Sequence, residues 1–78
     1  MSKYEYRFCV YKNNMRDGIY YVRSFKTLRE ALRNKREIEM GKGGCCDVVK
    51  KKFVIGANEP TTRHIYDNYK YSEYDLRY

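Results

Sequence analysis

The four residues Thr27-Leu28-Arg29-Glu30 constrain this chain more than any other stretch, because they fix where its helix begins. In a capping box the threonine side chain accepts from a first-turn amide. The glutamate reaches back to the threonine's own amide, so two otherwise unpaired donors are satisfied together. From that start Leu28, Ala31, Leu32, Lys35 and Ile38 fall on one inward stripe, with the Lys35 stem along its edge, and Gly41 stops the helix. Arg29, Arg33 and Arg36 line up on another face.

The rest of the chain must be arranged around this helix. Upstream, Tyr4, Tyr6, Phe8 and Val10 alternate with Glu5, Arg7, Cys9 and Tyr11, the period of a half-buried strand. Asn13 to Gly18 supplies turn residues that tolerate positive φ, and Ile19 to Phe25 is rich in β-favouring side chains. The two strands predict an antiparallel hairpin. Downstream, Asp47 to Ile55 predicts a third strand, with Val49, Phe53 and Ile55 on one face and Lys50 and Lys52 on the other. The order ββαβ predicts a small two-layer α+β domain over residues 1–56, a three-stranded antiparallel sheet with the helix packed on one face. The opposite face is expected to be open and to carry tyrosines and basic residues. Residues 57–78 form a tyrosine-rich C-terminal arm, for which a short helix from Thr62 and a segment wrapping the sheet are equally compatible with the sequence.

Charge divides the chain in the same place. Residues 1–56 hold fourteen Lys/Arg against six Asp/Glu, whereas residues 57–78 hold three against four. A body this basic implies a polyanionic partner: nucleic acid, a membrane surface or an acidic protein patch. No apolar run is long enough to span a bilayer, and Met1 to Glu5 opens no signal-peptide apolar core, so a soluble cytoplasmic protein without a membrane partner is expected. The chain reads as a complete small open reading frame. At 78 residues its core is small enough to invite supplementation by a partner or a second copy, a homodimer included.

Catalytic and metal chemistries find little purchase. Gly18-Ile19-Tyr20 spells the first half of the GIY-YIG nuclease signature, but Tyr21-Val22-Arg23 follows at once and no Tyr-Ile-Gly is present. Gly41-Lys42-Gly43-Gly44 follows a helix and precedes a strand, the reverse of the order in which glycines cradle phosphate, and serves as a helix stop and linker. Cys9, Cys45, Cys46 and His64 make a nominal four-ligand set for zinc, yet adjacent cysteines rarely aim both thiolates at one metal. The expectation is one buried and one exposed thiol in the pair, reduced, with no cofactor and no catalytic site.

Binding chemistry is better represented. Ten tyrosines and no tryptophan suit base stacking or a protein-binding patch. Tyr6 and Tyr21 are expected in the core, with hydroxyls reaching solvent. Tyr66, Tyr69, Tyr71 and Tyr74 in the arm are candidates for protein contact. The candidate nucleic-acid or partner contacts are Arg7, Arg16, Tyr20 and Arg23 on the hairpin, Arg29, Arg33 and Arg36 on the helix, and Lys50, Lys51 and Lys52 on the third strand.

The run from Gly18 to Glu39, a strand ending in Ser24-Phe25 followed by Lys26-Thr27-Leu28-Arg29-Glu30-Ala31 and a long amphipathic helix, resembles the ethylene-response-factor-type DNA-binding domain. It is similar in the same way to the arm-binding domain of tyrosine recombinases and to DNA-reading modules of phage homing endonucleases. The resemblance implies a sheet lying in the major groove with the helix bracing it from behind. It implies Arg16, Tyr20 and Arg23 facing DNA, and Phe25, Ala31 and Leu32 holding helix to sheet. The composition, rich in Lys, Tyr and Asn, is also similar to that of small proteins encoded by phages of low-GC bacteria. Together these imply a small non-enzymatic nucleic-acid-binding protein, with DNA favoured. The alternative is a phage-encoded inhibitor that blocks an acidic host or defence protein, or sequesters a phosphorylated ligand, in the host cytoplasm.

Overall fold

The computed structural model describes residues 3–14, 18–41, 44–62, 65 and 68–77. Strands β1 (Tyr4–Asn14) and β2 (Gly18–Phe25), helix α1 (Leu28–Met40) and strand β3 (Cys45–Val54) follow one another, and a 3-10 helix η1 (Glu73–Arg77) closes the chain. The sheet is antiparallel throughout with the order β2-β1-β3, so the first strand is the central one. The small α+β architecture expected from the sequence is the one observed.

Helix α1 begins where the capping box places it, with the threonine half of that box formed. Thr27 is extended (φ −119°, ψ 149°) and its Oγ1 accepts from the Glu30 amide at 3.3 Å. The helix ends at Gly41, whose amide donates to the Glu37 carbonyl. Gly41 has φ −87°, so its use here is spatial: an added Cβ would lie 3.3 Å from the Glu37 carbonyl oxygen. Just before that point Glu39 ties the helix to the next strand, accepting from Lys35 Nζ and from the Cys46 amide, each at 3.2 Å. On the sheet side Ala31 and Leu32 are buried with Val10, Cys46 and Val48, flanked by Phe8, Phe25, Leu28, Ile38 and Tyr71. Phe25, Ala31 and Leu32 do hold helix to sheet.

The opposite face differs from the open surface expected. Cys9 and Tyr11, which the alternation puts on the solvent side, are 0% and 2% exposed. They form a second core with Val49, Phe53 and Ile65, against which Tyr21 packs. The cause is the arm, whose Pro60 and Ile65 are both buried. β1 is therefore buried on both sides at its middle, and its alternation separates two cores rather than core from water.

After β3 the chain turns at Ile55-Gly56, where Gly56 has φ +90° and the Ala57 amide donates to Val54 at 2.9 Å. A side chain at that φ costs about 1–2 kcal/mol, so glycine fits the turn. The arm then returns along the outer edge of β3. The Thr61 amide donates to the Lys52 carbonyl, Asn68 Nδ2 to the Lys50 carbonyl, and the Tyr71 amide to the Val48 carbonyl. Tyr71 bridges to Val48 as a strand would, so the arm covers an edge otherwise open to pairing. Of the two forms compatible with the sequence, the described part of the arm takes the wrapping one, ending in η1 against α1.

Candidate nucleic-acid interface

On the helix side the sheet outruns the helix. The pairing of β1 with β2 ends at Phe8 opposite Phe25, whereas its pairing with β3 continues to Tyr4 opposite Val54. Tyr4, Tyr6 and their β3 neighbours Lys50 and Lys52 thus form a two-stranded apron beyond α1. Tyr4 is 44% and Tyr6 61% exposed, so Tyr6 is a surface residue and not the core tyrosine the sequence suggested. The burial that alternation promised is absent here because, among the described residues, no helix or strand lies over this end.

The side chains on the apron interlock. Lys52 pairs with Tyr6 across the strands, but its Nζ leans one step along to lie 4.3 Å from the centre of the Tyr4 ring. Lys50 pairs with Phe8, and its Nζ lies 5.4 Å from the Tyr6 ring and 5.9 Å from Phe8. Each ammonium sits over an aromatic face, an attraction of about 0.5–1 kcal/mol at exposed sites. The row extends under the arm, where Tyr71 packs edge-on to Phe8 (5.3 Å) and to Tyr69 (4.9 Å). The result is a ladder of alternating positive charge and exposed ring.

The remaining candidates are dispersed. Arg23 lies opposite Val10 on the helix side, with its guanidinium 5.2 Å from the Phe25 ring. Tyr20 pairs with Lys12 and lines a groove of about 270 Å³ with Tyr11, Ile19, Tyr21, Glu59 and Pro60. Arg16 lies outside the described residues, as do Lys42, His64, Tyr66 and Tyr78. Arg7 is half-buried on the face away from α1, paired with Glu5 and lying 5.0 Å from the Phe53 ring.

Lys51 shares that face with Arg7 and is only 4% exposed. Its Nζ donates to Thr62 Oγ1 at 3.1 Å, and burial pulls its pKa below the ordinary lysine value. Its neighbours Lys50 and Lys52 point the other way, so the Lys50-Lys51-Lys52 run serves two faces. In the arm, Tyr71 is half-buried in the helix-side core, whereas Tyr69 and Tyr74 are exposed. The Tyr69 hydroxyl donates to Asp75 at 2.9 Å, which raises its pKa. Arg29, Arg33 and Arg36 are exposed along α1 and face η1.

The cysteines take separate roles. Cys46 is buried and Cys45 exposed, the division expected for the pair. Cys9 belongs to the core away from α1 and Cys46 to the core beneath it, so the sheet itself keeps their thiols apart. Burial pushes the Cys9 thiol up to about 12, against the opposing pull of Lys51 and Arg7. Burial and the Glu39 carboxylate raise Cys46 as well. Both are therefore thiols, not thiolates, at neutral pH and poor nucleophiles. Among the described residues no group of His, Cys, Asp and Glu could hold a metal ion, and no helix is long and apolar enough to cross a membrane.

Tyr4 is the ladder residue that sequence reasoning passed over. The signal was the pair Tyr4-x-Tyr6 beside Lys50-x-Lys52, but only the strand register shows that these two dyads share a face. Comparison of the chain with family models, with curated proteins and with solved structures found no match.

Proposed function

We propose that this protein is a non-enzymatic nucleic-acid-binding protein of the cytoplasm that receives a single strand across the Tyr4, Tyr6, Lys50, Lys52 ladder. One observation carries the reading: two exposed rings and two ammonium groups alternate on a strand-paired surface that α1 does not reach. Bases stack on aromatic rings at about 1–3 kcal/mol each, and a positively charged surface tracks the backbone between them. An arriving base takes the ring face from the ammonium, and the ammonium then turns to the adjoining phosphate. Single strands are favoured over duplex because stacking on Tyr4 and Tyr6 needs bases released from pairing.

Anisotropy titrations with labelled single-stranded DNA, single-stranded RNA and duplex DNA at several salt concentrations test this. Single strands should bind most tightly, with log K falling against log salt by about 0.7 per phosphate contacted. Tyr4→Ala and Tyr6→Ala should each weaken binding by about 1–3 kcal/mol. Flat traces for all three probes, or duplex binding indifferent to both tyrosines, would overturn the proposal.

The exposure of Tyr69 and Tyr74 favours a second reading, an inhibitor that docks on an acidic host protein through its basic body and its arm. Point variants test it better than truncation, because removing the arm also removes Ile65 and Tyr71 from the two cores. A host protein captured by the wild type and lost with Tyr69→Ala plus Tyr74→Ala supports the inhibitor. Capture that persists excludes the arm as its anchor.

A further inference from the structure

Away from the ladder, Arg29, Leu32, Arg33 and Arg36 on α1 and Glu73 and Leu76 on η1 border a groove of about 410 Å³. That volume lies within the range of roughly 300–1,000 Å³ typical of small-molecule sites. Two ion pairs occur among the described residues, Arg7 with Glu5 and Lys35 with Glu39, and neither involves these arginines. On a helix rising 1.5 Å per residue, Arg29 and Arg33 are roughly 6 Å apart along the axis, and Arg33 and Arg36 roughly 4.5 Å. Like charges at such spacing repel and destabilise the helix, a cost an anion lying among them reverses.

The groove offers three kinds of contact. Guanidinium forks match phosphate oxygens two at a time, and three of them in a row span more than one phosphate. Leu76, 40% exposed, presents apolar surface, and the Glu73 carboxylate accepts from hydroxyl groups. A molecule that satisfies all three carries several linked phosphates, a flat ring system and vicinal hydroxyls. We propose that the groove between α1 and η1 binds a nucleoside di- or triphosphate, with phosphates on Arg29, Arg33 and Arg36, the base against Leu76, and the sugar hydroxyls at Glu73. This site uses none of the ladder residues and stands independently of the strand-binding reading.

Calorimetric titration of the full chain with ATP tests the assignment, with adenosine and inorganic tripolyphosphate as separate probes. ATP should bind and adenosine alone should not. Arg33→Ala should weaken ATP about tenfold or more, the usual consequence of losing a charge-assisted hydrogen bond. Leu76→Ala should weaken ATP and leave tripolyphosphate unchanged, and Tyr6→Ala should leave ATP unchanged. Thermal melts of Arg33→Ala and Leu76→Ala matching the wild type exclude a folding defect. No heat with millimolar ATP would overturn the proposal, as would ATP affinity unmoved by Arg33→Ala and Arg36→Ala. Equal affinity for ATP and tripolyphosphate would overturn the nucleoside assignment. Loss of ATP binding in Tyr6→Ala, with Arg33→Ala intact, would move the phosphates to the ladder and overturn the groove.

Discussion

Along the helix-side face of the sheet, β1 presents two ends that obey the same alternation and meet opposite fates. Phe8 and Val10 lie beneath α1, packed with Val48, Ala31 and Leu32. Tyr4 and Tyr6, the next residues on the same face, stand in solvent with Lys50 and Lys52 across their rings. Length separates them. A strand of eleven residues extends roughly 37 Å, whereas a helix of thirteen is roughly 20 Å long and cannot roof it. The covered end is built from Phe, Val and Leu, which gain from leaving water. The open end carries Tyr and Lys, which keep a polar group wet while presenting apolar surface. The candidate interface thus arises from a mismatch between two elements rather than from a motif of its own.

The contrast is testable from both ends. Leu32→Ala should destabilise the covered end most, by about 2–5 kcal/mol, read as a lowered midpoint in chemical denaturation followed by circular dichroism. A loss below about 1 kcal/mol would mean that α1 rests on the sheet without being fixed to it.

The second core, on the other face, gives an effect next in size and dependent on pH. Cys9 titrates at about 12 in the fold against an ordinary 9.0, so folding favours its neutral form. Its contribution is complete below pH 9 and is lost as pH rises toward 12. A shift of that size corresponds to at most roughly 4 kcal/mol. Denaturation midpoints taken at rising alkaline pH should therefore fall more steeply in the wild type than in Cys9→Ala. Parallel slopes would remove Cys9 from the account.

Thr27→Ala should cost about 1 kcal/mol, the usual loss when an N-cap oxygen is removed. An unchanged midpoint would show that packing alone sets the start of α1. The smallest stability effect belongs to the open end. Tyr6→Ala should move the midpoint by no more than about 0.5 kcal/mol while weakening single-strand binding. A large loss of stability there would make Tyr6 a structural residue and collapse the contrast between the two ends.

Local chemistry was legible in the sequence wherever it depends on near neighbours. Thr27 and Glu30 fixed the start of α1, the alternation from Tyr4 to Tyr11 defined β1, and the inward stripe from Leu28 to Ile38 identified the packed face. The basic body and the division of Cys45 from Cys46 could be read in the same way.

Tertiary structure alone decided which surfaces stayed open. Alternation reports that a strand has two different faces, but not what lies over each. The arm closed the face holding Cys9 and Tyr11, and the short reach of α1 left Tyr4 and Tyr6 exposed. Likewise Lys50, Lys51 and Lys52 are equivalent charges in the chain. The pleat sends Lys51 into a part-buried hydrogen bond with Thr62 and its two neighbours out over the tyrosine rings. Side-chain type is a property of each residue, whereas burial depends on segments distant in sequence, and here those distant segments decide which surface stays open.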